Sequence, residues 1–547
     1  MTTTTQVFAA RKILTMNPAQ REATHVAVRG GKILAVGGPA EMAPWPDAEP
    51  VDTFRDKVLM PGLVEAHCHL MEGAMWDAVY VGYFDRRDPD GRLWRGLRTL
   101  DQVIDRLAGA ESQLKEASKP LLAWGFDPIY FGTDRLSVRE LDRVSASRPI
   151  AVMHASVHLM NVNSAMLDLA GINEDTDIDG IHRAPDGQPT GELQEFAAMF
   201  PVHRVLGKGL SLAAAEDPEA VRRFGRVAQL AGVTTATDLV SDLSPLGLHT
   251  LREVTSSDNF PLRVVPAFAP QRNPEGGLAR VAAAQEGGSD KLHFGPVKFI
   301  VDGSIQGFTA RLRAPGYAGG QENGLWLIPP DQLLDTFTPF HRAGLQLHIH
   351  TNGDEATEVV LDAIETLLAR HPRADHRHTL QHCQLADEAQ LRRAADLGMC
   401  INFFANHLYY WGEAHSTQTV GPERAARMNP AGTARKLGIP LSVHSDAPIT
   451  PLNPLFTAWC AAWRQSAAGR VLGEGERLSL EEALHAVTLG AAYTLKLDRL
   501  IGSIEPGKLA DFAVLDDDPI ALGAERLKDT RVWGTVLGGR IFPAPTR

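Results

Sequence analysis

The segment Ala66-His67-Cys68-His69 closes an apolar run that passes through Pro61-Gly62. Side chains alternate along a strand, so His67 and His69 share a face, about 6–7 Å apart along the backbone. Two imidazoles so placed can hold one metal ion, and a histidine pair packed in a buried strand fits the same residues. Further groups could join them. Lys298 lies within Val297-Lys298-Phe299-Ile300-Val301, where an ammonium is costly to bury and would repel a bound cation. A desolvated lysine loses its proton more readily and can add carbon dioxide, giving a carbamate able to bridge two metals. A lysine reaching to the rim, or paired with Asp302, fits the same sequence. Asp446, in Ser445-Asp446-Ala447-Pro448, offers a carboxylate that could ligate metal and take up a proton, or one that caps a helix or turn.

Eight apolar, β-rich runs with helical segments after most of them must position these groups: 58–66, 234–239, 262–269, 295–301, 345–350, 378–383, 399–404 and 440–444. That pattern predicts a parallel (β/α)8 barrel of the α/β class, whose strand C-termini converge on one mouth. His67, His69, His350, His382 and Asp446 fall at or just after strand ends, with Lys298 inside the fourth run. Helices are expected over 355–370, 388–397 and 423–437, the last stopping at Gly438.

More than 150 residues separate the first two runs. This insertion, 72–220, carries strand-like pieces at 121–126 and 149–154, helices near 100–117 and 213–230, and a turn at Pro185-Asp186-Gly187. Insertions after barrel strands cover the active-site mouth, so this one is expected to shape substrate choice. Short strands punctuated by glycine pairs occupy both ends of the chain: 6–14, 25–29, 32–36 and 57–59, then 510–515, 532–537 and 540–542. The expected organisation is a small β-sandwich from 1–58 and 503–547 beside a barrel domain over 59–502.

A net charge of −12 without a basic tract argues against nucleic acid as a partner. No apolar stretch approaches the ~20 residues of a membrane span, and the start has no leader-like pattern, so a cytoplasmic location is expected. The cysteines, Cys68, Cys383, Cys400 and Cys460, are too scattered for a disulfide framework and read as free thiols in packing roles.

In order along the chain stand Met60-Pro61-Gly62-Leu63-Val64-Glu65-Ala66-His67-Cys68-His69, Gly125-Phe126-Asp127, His158 with Asn163-Ser164, and Thr190-Gly191-Glu192-Leu193-Gln194-Glu195. Lys298 through Asp302-Gly303-Ser304, His350 with Gly353-Asp354, His382, Ser445-Asp446-Ala447-Pro448 and Gly502 through Asp511 complete the series. In this the chain resembles the amidohydrolase superfamily, within it amidohydrolase family three, the YtcJ-like metal-dependent hydrolases. The resemblance implies His67, His69 and Asp446 on one divalent ion, His350 and His382 on a second, and carboxylated Lys298 between them. Zinc suits this nitrogen and oxygen ligand set, with manganese, iron or cobalt as alternatives. It implies hydrolysis of a C–N amide-type bond, of an N-acyl or N-formyl amine, by a hydroxide bridging the ions, with Asp446 as proton shuttle.

Ester or lactone hydrolysis, ring-amine deamination and metal binding without turnover are the alternatives. Lys298 argues against deamination, because the superfamily's deaminases mostly use one metal and lack the bridging lysine. By resemblance His158 and His407 approach the substrate, and Glu195 fixes the insertion. Trp411, in Tyr409-Tyr410-Trp411, reads as pocket wall, and His444 adds an imidazole near the mouth. Gln381 stands where the group commonly carries Glu, which would remove an anion from behind a ligand. The expected partners are a small-molecule substrate and a second copy of the chain, as a dimer.

Overall fold

The structure is a computed structural model that describes residues 4–116, 118–132, 135–207, 210 and 214–545. The chain divides into one unit formed by the residues up to His69, Gly225–Ala447 and the segment from Leu452 onward, and a second formed by Leu70–Phe224 with Pro448–Pro451.

In the first unit the N-terminal strands are β1 (Gln6–Leu14), β2 (Glu22–Arg29), β3 (Lys32–Gly37) and β4 (Glu49–Pro61). Eight strands follow: β5 (Leu63–Glu65), β6 (Val233–Ser241), β7 (Arg263–Phe268), β8 (Pro296–Ile300), β9 (Gln346–Thr351), β10 (Thr379–His382), β11 (Cys400–Phe403) and β12 (Leu441–Val443). The chain ends in β13 (Phe512–Leu515), β14 (Val532–Leu537) and β15 (Arg540–Pro543). Both ends of the chain join one seven-stranded sheet, ordered β15-β14-β13-β4-β1-β2-β3. The ends meet where β13 runs antiparallel to β4, Phe512 opposite Pro61 and Leu515 opposite Val58. Phe8, Val26, Phe54, Phe512 and Val536 bury their side chains in its core, each contributing about 1.5–3 kcal/mol relative to exposure.

The eight strands β5 to β12 form one all-parallel sheet in sequence order. The sheet curls until its edge strands meet at their C-terminal ends. There Asp446 N–H donates to His67 O at 3.1 Å and His69 N–H to Ala447 O at 2.8 Å, and Cys68 and Ala447 form a parallel bridge. Alternation along β8 shows why its sequence reads as it does. Phe299 packs its ring 4.9 Å from that of Phe337 in the helix Leu333–Arg342 outside the sheet, which turns Lys298 to the inside.

Two expectations need correction. The run 58–66 is two strands, since Val58–Pro61 belongs to β4 and only Leu63–Glu65 joins the barrel sheet. Gly62 makes the switch, because a Cβ there would collide with the Thr234 side chain. The helix expected over 423–437 is two, Pro422–Arg427 and Ala431–Lys436. Asn429 sits at φ 50° and Pro430 cannot continue the hydrogen-bond ladder. The helix over 388–397 appears as Glu388–Asp396, started by a capping box between Asp387 and Gln390.

The second unit holds a six-stranded sheet in the order Ile181–Arg183, Pro189–Gln194, Leu159–Val162, Ile150–His154, Leu121–Phe126, Val79–Tyr80. The helix Leu100–Glu111, capped by Thr99, buries Val103, Ile104 and Leu107 in its core. A helix spans Pro218–Leu230 after a short turn at Ala214–Glu216. Ala117 and Ala213, the predicted outer limits of these helices, lie outside the described residues. All four cysteines are buried, and among the described residues no helix is long and apolar enough to cross a membrane.

Candidate metal centre

The C-terminal ends of β5, β9, β10 and β12 bring His67, His69, His350, His382, His444 and Asp446 together. Asp446 Oδ1 lies 3.1 Å from His69 Nε2 and 3.3 Å from His67 Nε2, while its Oδ2 lies 3.8 Å from His382 Nδ1. The His67 ring is 4.5 Å from that of His382 and stacks at 4.5 Å on that of His444. The His382 and His350 rings are 4.4 Å apart. Two sets of donor atoms each gather within 4.8 Å: His67, His69 and Asp446, and His67, His382 and His444. Neither set includes His350.

Local backbone aims two of these side chains. His382 and Asp446 both sit in the left-handed region, at φ 68° and 54°. Such geometry persists in non-glycine residues where the surroundings enforce it, and it collects at functional sites. Around Asp446 the enforcement comes from Glu65, whose carboxylate accepts from Ser445 N and from Ser445 Oγ at 2.8 Å. Burial pushes the Glu65 carboxyl up to about 8, against the pull of these hydrogen bonds. Just past β9, Asn352 N and Gly353 N donate to Asp302, which follows β8, at 2.9 Å and 2.8 Å, fixing the turn that follows His350. Asp302 Oδ1 is also 3.5 Å from His350 Nε2. Its carboxylate is thus committed to the loop beyond β9.

The electrostatics suit a cation. Burial, with nearby cationic groups, holds His67 and His382 well below the usual imidazole range, so both are neutral and able to ligate. Burial alone would raise Asp446, but the His69 hydrogen bond and neighbouring charges more than offset it, and its carboxyl lies below the ordinary value. Burial pushes Lys298 down to about 7, and its Nζ has no hydrogen-bond partner. His69 Nδ1 and His444 Nδ1 are likewise buried without one. Buried imidazole nitrogens left over around a carboxylate are what a divalent ion would satisfy, and these histidines with Asp446 fit zinc or a similar metal.

Behind the candidate ligands, Gln381 links two histidines. Its Oε1 accepts from His67 Nδ1 at 2.7 Å and from Asn402 Nδ2 at 3.0 Å, and its Nε2 donates to His348 Nδ1 at 2.7 Å. A neutral amide therefore occupies the orienting position behind His67, leaving Nε2 of that ring for metal. His348 and Glu65 are not singled out by sequence reasoning, although His348-Ile349-His350 repeats the alternate spacing of His67 and His69.

The His407 and Trp411 rings, both on the helix Asn406–Ala414, lie 4.5 Å apart, tilted by 31°. Phe404 bridges them to the centre, 4.6 Å from the His407 ring and 5.1 Å from that of His444. His407 Nδ1 is 2.9 Å from His415 Nε2 in the π-helical turn His415–Thr419. In the second unit, His158 Nδ1 pairs with Glu195 Oε2 at 2.9 Å.

The sequence profile of the amidohydrolase family matches residues 55–543. The chain belongs to the amidohydrolase family. Among curated relatives, N-substituted formamide deformylase of Arthrobacter pascens is 27% identical over 94% of each chain. The LONG AFTER FAR-RED 3 protein of Arabidopsis thaliana is 29% identical over 97% of this chain and 90% of its own. YtcJ of Bacillus subtilis is 27% identical over 91% and 90%. A solved structure of an uncharacterized metal-dependent hydrolase from Pyrococcus horikoshii superposes with a TM-score of 0.73, covering 95% of this chain and 99% of that one at 21% identity. At that identity the likeness is one of fold. Members of this family, this amidohydrolase among them, are metal-dependent hydrolases acting on C–N bonds.

Proposed function

We propose that this amidohydrolase cleaves the C–N bond of an N-formyl or N-acyl amine, with Asp446 carrying the proton from attacking water to the leaving nitrogen. The observation that carries this reading is Asp446 itself, an ionised carboxylate 3.1 Å from His69 and 3.3 Å from His67 at the meeting of the first and last strands. An amine must be protonated to leave, and a carboxylate that has just received a proton can supply it. The formamide deformylase of Arthrobacter pascens supports the choice of substrate class.

In this reading His67, His69 and Asp446 hold one ion, His350 and His382 a second, and Lys298 bears a carbamate between them. Bound divalent ions, zinc first, would activate water and polarise the substrate carbonyl. Gln381 orients His67 for that task, and Asp302 orients the end of β9 that carries His350. His407 and Trp411 contribute an aromatic wall.

The test is a panel of N-substituted formamides, N-acyl amines, esters, lactones and ring amines offered to zinc-loaded protein. Release of formate or carboxylate with free amine supports the proposal. Turnover confined to esters and lactones, ammonia released from ring amines, or no turnover at all would each overturn it.

A further inference from the structure

We propose that His348 is a positioning residue that holds the carbamate of Lys298 through its Nε2–H. This rests on the reading above that Lys298 is carboxylated, and it assigns a task to a residue outside the ligand set. Lys298 and His348 are register partners on the adjacent parallel strands β8 and β9, so their side chains leave the sheet on the same face. Both are fully buried. Lys298 Nζ and His348 Nε2 are both buried without a hydrogen-bond partner.

The tautomer of His348 follows from its other nitrogen. For His67 to ligate through Nε2, its Nδ1 must carry a proton, and Gln381 Oε1 accepts that proton at 2.7 Å. Asn402 Nδ2 donates to the same oxygen at 3.0 Å. The amide orientation is therefore set, and Gln381 Nε2 must donate to His348 Nδ1 at 2.7 Å. The proton of neutral His348 is then on Nε2. An unmodified lysine ammonium beside it would place two donors together and satisfy neither, at the cost that unpaired buried donors carry.

Carboxylation resolves the conflict. The neutral Lys298 amine attacks the carbon of carbon dioxide, the N–C bond forms, one C=O electron pair moves onto oxygen, and the nitrogen releases one proton to water. The product, an N–H joined to a carboxylate, supplies an anionic acceptor for His348 Nε2–H. Charge-assisted bonds of this kind are among the stronger ones in proteins.

Two substitutions separate this from a packing role. The Asn amide in His348→Asn reaches the Nδ1 position and keeps the bond with Gln381, but offers nothing at Nε2. The longer side chain of His348→Gln returns a donor there. Full-length protein is equilibrated with zinc and 13C-labelled bicarbonate, and the carbamate carbon is followed by NMR together with zinc content. His348→Asn should need about tenfold or more bicarbonate to reach half the parent signal, and His348→Gln should lie close to the parent. Circular dichroism confirms that both are folded, and His348→Gln alone keeps the test decisive if His348→Asn is not. A folded His348→Gln without the carbamate signal would overturn the proposal, as would His348→Asn with the parent's bicarbonate dependence. Absence of the signal from the parent protein would instead overturn the carboxylation of Lys298 itself.

Discussion

His69 and Asp446 meet at 3.1 Å across the junction of the first and last strands of the curled sheet, and each is held there by the other's segment. Asp446 N–H donates to His67 O, and His69 N–H donates to Ala447 O. The carboxylate proposed to move the proton therefore sits on a cross-strand brace rather than on a free loop.

Asp446→Asn should leave this brace intact, since Asn tolerates the left-handed backbone and still accepts from His69. Hydrolysis should fall by about 10²–10⁴-fold with little change in melting temperature. Steady-state kinetics on zinc-loaded protein check this, and parent turnover in the variant would remove Asp446 from the shuttle role.

On the proposed two-metal reading, Lys298→Ala should lower bound metal from about two ions per chain to one, because the proposed carbamate between them is lost. Metal analysis after dialysis gives the answer. Equal metal content in parent and variant would count against the bridging role.

Gln381→Leu removes the acceptor for His67 Nδ1–H without touching a ligand, and metal affinity should drop by about 10–100-fold. Gln381→Glu keeps an acceptor at that position and should bind at least as tightly as the parent. Competition against a chromophoric chelator measures both. Unchanged affinity in Gln381→Leu would show that the orientation of His67 is set elsewhere.

At the opposite end of the sheet, His378 Nδ1 accepts from Leu347 N at 3.0 Å, and its Nε2 shares one proton with His341 Nδ1 at 2.8 Å. His341 in turn donates to His371 O at 2.7 Å. Burial, with neighbouring His376 and Arg373 adding to it, holds His378 well below the usual imidazole range, and burial lowers His341 too. Unfolding therefore takes up protons once pH falls below the unfolded value of about 6.5, so this stability is complete above that pH and declines below it, by at most about 1.4 kcal/mol per pH unit for His378 and less for His341. Denaturation of metal-free protein at stepwise lower pH should show the decline. His378→Asn, which keeps an acceptor for Leu347 N–H, should flatten the slope, and an unchanged slope would place the pH dependence elsewhere.

The eight barrel strands are legible because each is a short apolar run and because chemistry-bearing residues recur at their ends. Where the sequence misleads, the cause is local. Val58 to Glu65 reads as one run because nothing in its polarity marks the change of sheet at Gly62. The break at Asn429-Pro430 is hidden by helix-forming residues on both sides. His348 and Gln381 are a different matter, since their roles come from register. Lys298 becomes a neighbour of His348, and Gln381 of His67, only when parallel strands far apart in sequence are laid side by side.

His69 and Asp446, proposed to share one ion, are 377 positions apart in the chain. A nascent chain can complete its first strand early, yet the triad of His67, His69 and Asp446 cannot form until the last barrel strand has docked against it. If this triad holds the metal as proposed, firm capture there marks finished assembly and is withheld from every partly built chain.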